Sequence, residues 1–409
     1  MFAFFERLVD PYPPQAPAEP PRSFFAFLWA CTQGARPFLL LVTLFTAAIG
    51  AFEALLFSMM AHVVDLLAKT PPAELWQRHG SLLAVLGAIL AVSIVCAALQ
   101  ALFKYQGIFG NFPMRLRWDF HRLMLAQSMN FYPDEFAGRT ATKVMQTALA
   151  VRDTWLIFAD ILVYVVIYFA TMVAVMAAFD AWLMAPFLGW LVLYIATLWY
   201  FVPRLGKVAE VQADARSLMT GRITDAYTNI ATVKLFSHAQ RESQFARGAM
   251  QEFLGTVQTQ MRLVTAFETV NQLLSVLLIA AITAVALWLW SGSLVGVGAV
   301  AAATAMAFRL NGISHWVMWE MATLFEHIGT VQDGMATLSR PRAVVDREGA
   351  VDLKVTRGEV TFDNLGFSYG NGKKVIEGLN LTIRPREKIG LVGRSGAGKS
   401  TIVNLLLRH

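Results

Sequence analysis

Six long apolar runs constrain this chain more than anything else in it. They lie at about residues 38–67, 82–103, 155–179, 181–201, 273–290 and 294–306. A helix needs about 20 apolar residues to cross the hydrocarbon core of a bilayer. All but the last run approach or exceed that length. The last is short, but its helical pattern continues to about Leu338. Composition points the same way: of 409 residues, 56% are hydrophobic and 15% charged, with a mean hydropathy of +0.51. A soluble domain carries about 25% charged residues. The expectation is an α-helical polytopic membrane domain of six spans.

The links between spans alternate between short and long. Residues 179–181 and 291–293 read as tight hairpins, and 69–80 as a short outer loop. Residues 104–154 and 203–272 are long, polar and patterned as helices. Each reads as two helices and a turn, the turns falling near 132–139 and 220–226. At 1.5 Å per residue such arms reach about 35 Å beyond the bilayer. Basic residues crowd the long links, among them Lys104, Arg115, Arg117, Arg122, Arg204, Lys207 and Arg216, and are nearly missing from the hairpins. Basic loops stay on the cytoplasmic side, so the long links, the N-terminus and the C-terminal segment are expected there. This placement accounts for the net charge of +6, and no nucleic-acid partner is expected.

Residues 1–36 form a cytoplasmic N-terminus. Phe2, Phe4, Phe5 and Leu8 make its start amphipathic, 11–21 is a Pro-rich linker, and 22–36 reads as an interfacial helix. Glu6 and Asp10 stand where a signal peptide would be basic. Cys31 and Cys96 have neither metal-ligand nor disulfide spacing. After the spans, 339–356 is a charged linker in which Pro341 stops the helix. The period then changes to two. Val360, Phe362, Leu365 and Phe367 read as a strand, 370–372 as a turn, 379–383 as a second strand, and 389–392 as a third, buried and parallel.

Gly393 to Ser400 matches G-x-x-x-x-G-K-[ST], the phosphate-binding loop. Gly393, Gly396 and Gly398 lack Cβ atoms, so their N–H groups can approach phosphate oxygens. The helix beginning after them adds the positive end of its dipole. Lys399 is expected on the β- and γ-phosphates of ATP, and Ser400 on Mg²⁺. Ser395, Ala397 and Thr401 complete the expected nucleotide-binding stretch.

Six spans, two long helical links and a following phosphate loop together resemble a half-size ABC exporter of the multidrug and lipid flippase type. The resemblance covers nearly the whole chain. It implies a type I/IV-like membrane domain at 37–338, followed from 357 by the N-terminal part of an α/β P-loop nucleotide-binding domain. Phe362 to Tyr369 looks like the opening strand of that domain, and by this match Tyr369 stacks on adenine. Gly221 to Phe236 looks like the second cytoplasmic link of such exporters. Phe131-Tyr132-Pro133 with Gly138-Arg139 looks like the first. The resemblance implies that both turns are coupling helices docking on nucleotide-binding domains, one of them the partner subunit's. The implied activity is ATP-driven export or flipping of a hydrophobic or amphipathic substrate across the bacterial cytoplasmic membrane, by a homodimer or heterodimer.

The chain departs from that family by stopping about ten residues after Lys399. The family's Q-loop, signature motif, Walker B aspartate with its catalytic glutamate, and switch histidine do not appear, so no catalytic base is assigned. The expectation is a fragment or a truncated gene product, and the intact motifs favour a fragment. The alternative function is a hydrolysis-incompetent membrane protein that binds nucleotide weakly or pairs with an intact subunit. A membrane-anchored P-loop kinase fits less well, because a kinase has no use for paired long helical links.

Ionisable residues in or near the spans (Glu53, Asp160, Glu268, Arg309, His315 and Glu320) are costly in lipid and face a bundle interior or cavity. Inter-helix bonding is the expectation for Glu53 and Asp160. Asn311 and His315 share a helix face, and with Trp316 and Trp319 either bond between helices or line a substrate path.

Overall fold

The computed structural model describes all residues except 1, 135–136, 237–238, 348, 352, 370–373 and 408–409. They fall into two compact units. One comprises Met1–Phe120 with Lys143–Ser339, the other His121–Thr142 with Arg340–His409.

Among the described residues, 6 helices are long and apolar enough to cross a membrane: Arg36–Lys69, Pro72–Leu125, Thr140–Phe179, Ala181–Gln212, Gln240–Ser291 and Val297–Leu338. The long links are continuations of these helices. The helix carrying the fifth span runs unbroken from Ala239 to Ser291. The first outer loop is tighter than expected, because a 3-10 turn at Pro72–Glu74 leads directly into the helix at Leu75.

Helix 4, the helix of the fourth span (Met184–Thr228), also outruns the sequence reading. It passes through Pro203 and continues to Thr228, so the turn expected at 220–226 is helical. The break comes at Asn229, whose side-chain amide donates to the Asp225 carbonyl at 3.0 Å and to Asp225 Oδ1 at 2.9 Å. Such local bonds compete with the helix ladder. A short helix, Ile230–Leu235, follows. In the first link a 3-10 turn at Met129–Asp134 precedes the helix Ala137–Leu156. Part of the expected 132–139 turn therefore lies outside the described residues.

Within a bilayer, helices associate through close packing rather than hydrophobic transfer. The contacts between spans show this. A Cβ on Gly298 would sit 2.0 Å from the Ala61 carbonyl oxygen, and one on Gly50 3.1 Å from that of Tyr164. The Gly298 N–H donates to Asp65 Oδ1 at 2.8 Å. The core between spans 3 to 6 is aromatic. Trp190 stacks on Tyr194 with centroids 5.0 Å apart, and the Tyr194 hydroxyl donates to the Ser314 carbonyl at 2.6 Å. Helix Leu75–Ala101, by contrast, buries no residue.

The N-terminal segment seats on the membrane unit. Helix Phe24–Cys31 packs Phe27 on Phe120, and its Leu28 carbonyl accepts from Trp155 Nε1 at 3.0 Å. Phe5 meets Phe103 edge to face, and the Asn111 amide donates to the carbonyls of Glu6 and Val9.

In the second unit, strands β1 (Val360–Ser368) and β2 (Lys374–Ile383) pair antiparallel. The register shifts between Phe362 and Leu365. Asn364 takes φ 46° at that shift, and Gly378 takes φ 63° on the facing strand. This bulge lets Phe362 and Leu365, three residues apart, serve one side of the ribbon. The expected turn at 370–372 lies outside the described residues. The expected third strand is not formed. Residues 389–392 have no regular structure, and Val392 is 97% exposed. A parallel strand needs a neighbouring ladder and cover on both faces, and no described residues supply them.

Candidate functional site

The phosphate-loop residues are arranged around the start of one helix, Lys399–Leu406. Its cap, Gly398, has φ 87°, and Gly396 has φ 86°. Both are left-handed conformations that a side chain resists. A Cβ on Gly398 would also lie 3.3 Å from Val375 Cγ1, and one on Gly393 3.3 Å from the Ala397 Cβ. The loop is closed by the Ala397 N–H donating to the Arg394 carbonyl at 3.1 Å. The first N–H groups of the helix, at Lys399, Ser400 and Thr401, have no carbonyl behind them within the helix. They form a donor-rich, positively polarised end.

Lys399 folds back over the loop. Its Nζ donates to the carbonyls of Gly393 at 2.8 Å and Arg394 at 2.9 Å. A lysine so placed holds its charge above the cradle, where an anion would compete for it. Ser395 and Ser400 are exposed, and Thr401 is buried. Tyr369, at the end of β1, is half exposed and bonds Thr401 Oγ1 through its hydroxyl at 3.1 Å. Phe367 meets the Tyr369 ring edge to face at 5.0 Å. The structure thus brings together an aromatic face, a glycine cradle, a lysine and a helix N-terminus. These residues fit a nucleoside triphosphate chemically: the cradle is one that Cβ atoms would fill, and its donors are cationic and backbone amide.

The ionisable residues of the spans separate into four groups. Asp160 accepts from Thr46 Oγ1 at 2.5 Å and from the Gln100 amide at 3.0 Å, and pairs with Lys104. Arg309 Nη2 lies 3.0 Å from Glu53 Oε2, to which the Tyr164 hydroxyl also donates at 2.6 Å. His315 Nε2 lies 3.0 Å from Glu268 Oε2, and its Nδ1 lies 3.0 Å from the Asn271 amide and 2.8 Å from the Asn311 carbonyl. His315 Nε2–H can donate to Glu268, while Nδ1 can meet the Asn271 amide as an acceptor or the Asn311 carbonyl as a donor, according to which nitrogen carries the proton. Both ring nitrogens are engaged between the helices Ala239–Ser291 and Val297–Leu338. Trp316 Nε1 donates to Glu320 Oε1 at 3.0 Å. Sequence reasoning missed Lys104, Gln100 and Thr46 as partners of Asp160. The available signal was the acid itself, since a carboxylate in a span needs a cation within reach.

The family profile "ABC transporter transmembrane region" matches residues 39–313, and "ABC transporter" matches residues 376–409. A Haemophilus influenzae protein described as an uncharacterized ABC transporter ATP-binding protein is 50% identical over 408 residues, covering 100% of this chain and 66% of that protein. A β-(1→2)glucan export ATP-binding/permease protein, NdvA, of Rhodopseudomonas palustris is 29% identical over 333 residues, covering 77% of this chain and 53% of that protein. A solved structure of a bacterial Atm1-family ABC exporter with ATP bound has a TM-score of 0.69 at 19% identity. The match covers 94% of this chain and 66% of that one. That likeness shows the fold. The chain spans between about half and two thirds of the length of these proteins.

Proposed function

The chain belongs to the ABC transporter family, and on that premise we propose that it is one half of a dimeric, ATP-driven exporter in a bacterial cytoplasmic membrane. The observation that carries this reading is the coexistence, in one chain, of membrane-crossing helices that continue into the long links and a glycine cradle with Lys399 at a helix N-terminus. The basic residues of the links support cytoplasmic termini.

Hydrolysis of the bound nucleotide, with Mg²⁺ balancing phosphate charge, supplies the free energy. The chain's own residues bind and orient. The free N–H groups at the helix start, Lys399 to Thr401, and the Lys399 ammonium would take the phosphates, the Ser400 hydroxyl would take the metal, and the Tyr369 ring would take the base. The helical links carry movement to the spans. The short helix Ile230–Leu235 leaves Ile230 and Leu235 exposed, which suits docking on a nucleotide-binding domain of a second half-transporter. The aromatic and Met-rich span core suits a hydrophobic or amphipathic substrate.

The test is Lys399→Ala in the complete transporter reconstituted into liposomes. ATP hydrolysis and transport should both fall by about a hundredfold or more, the scale seen when a donor to developing charge is removed. Near-normal turnover in that variant overturns the reading.

A further inference from the structure

We propose that the Glu53–Arg309 pair recognises zwitterionic amphiphiles, molecules carrying an ammonium and a phosphate or carboxylate on one headgroup. This deepens the exporter reading by naming a substrate class, and rests on it for the word substrate.

The pair is half open. Arg309 commits Nη2 to Glu53 Oε2, and the Tyr164 hydroxyl uses the same oxygen. Among the described residues no hydrogen bond reaches Arg309 Nε, Arg309 Nη1 or Glu53 Oε1. The Arg309 and Glu53 side chains remain 49% and 34% exposed. They border a pocket of ≈ 350 Å³ lined also by Tyr164, Gly312, Ile313 and Trp316. That is the low end of small-ligand pockets, about 300 Å³ and upward, and suits a headgroup rather than a whole lipid. Gly312 keeps the floor open, with nothing within 4 Å of where its Cβ would be. Tyr164 and Trp316 meet edge to face at 5.7 Å, giving aromatic surface that attracts an ammonium.

The two charges decide the ligand. An anion alone would meet the free guanidinium edge but lie beside the Glu53 carboxylate. A cation alone would meet Glu53 Oε1 but lie beside Arg309. Only a headgroup with both charges pairs each free edge without leaving a like charge against it. A pair whose whole role is to tie spans 1, 3 and 6 together has no reason to discriminate among ligands.

The experiment measures equilibrium binding of three probes sharing one tail to the purified protein in lipid nanodiscs, without nucleotide. The probes are dodecylphosphoethanolamine, dodecyl phosphate and dodecylamine. The zwitterion should bind at least about tenfold tighter than either singly charged probe, the scale of one charge-assisted hydrogen bond. Arg309→Gln should abolish its advantage over dodecylamine, and Glu53→Gln its advantage over dodecyl phosphate. Arg309→Lys, which keeps the charge, should retain most of the preference. Equal binding of the three probes by the unmodified protein, or tightest binding of a singly charged one, overturns the proposal whether or not the variants fold. Because no turnover is measured, this result is independent of the Lys399→Ala assay.

Discussion

Lys104 and Asp160 form an ion pair from two π-helical segments, Leu102–Phe109 and Ile157–Leu162, with side chains only 19% and 10% exposed. The extra residue in a π turn re-aims the side chains around it. Here both bulges fall where two charges meet, and Thr46 and Gln100 complete the carboxylate's bonds. The pair fastens spans 1, 2 and 3 at one point.

Lys104→Met should therefore be costly, because it leaves a carboxylate without its cation. The expected loss is about 3–5 kcal/mol, read as a lower thermal midpoint of the protein in detergent. Replacing both partners, as Lys104→Met with Asp160→Leu, should recover much of that loss. A single variant as stable as the parent would mean that the pair carries no weight.

Gly298→Ala should separate the helices Arg36–Lys69 and Val297–Leu338. Its methyl would need to occupy space 2.0 Å from the Ala61 carbonyl oxygen. Overpacking of this kind costs about 1–3 kcal/mol, and the Asp65 bond to the Gly298 N–H would be strained with it. Thermal unfolding reads the stability. Disulfide trapping between cysteines introduced on these two helices reads the spacing.

Gly398→Ala should abolish nucleotide binding while leaving the spans intact. The left-handed backbone at φ 87° costs an alanine about 1–2 kcal/mol, and its Cβ would press on Val375. Titration with a fluorescent ATP analogue measures the first effect. An unchanged thermal midpoint of the membrane unit measures the second.

Cys31 should be a slow thiol. Burial raises its pKa above the ordinary thiol value, and the neighbouring Asp119 charge adds to the rise. The folded state thus holds the proton more tightly than the unfolded chain. This contribution to stability is complete below the unfolded thiol pKa of about 8.5 and is lost as pH rises toward the folded value. Maleimide labelling at mildly alkaline pH should run slower at Cys31 than at free cysteine, and should accelerate with pH across a range where free cysteine has levelled off.

The six spans were legible because a bilayer imposes one length and one composition, and Arg36–Lys69 and Thr140–Phe179 carry both plainly. The end of helix 4 was not. Gly221 invites a break at 220–226, but the deciding bond is that of Asn229 to Asp225, which depends on a rotamer rather than on a residue type. The turn before helix Lys399–Leu406 was legible because backbone angles demand its glycines: Gly396 and Gly398 take φ 86° and 87°. Residues 389–392 misled because an apolar run signals a strand only where other strands wait for it. That Asp160 needs a cation was legible, but which cation was not: the pair with Lys104 joins positions far apart in the chain through two π-helical bulges that leave no pattern in composition.

The 53-residue helix Ala239–Ser291 has a mechanical consequence. At 1.5 Å per residue it is a rod about 80 Å long, with no break along it to absorb motion. A rotation of about 5° around its middle would swing each end by about 3–4 Å in opposite directions. That is comparable to the width of a side chain. The helix is thus a lever, and its gain is fixed by where the neighbouring spans grip it.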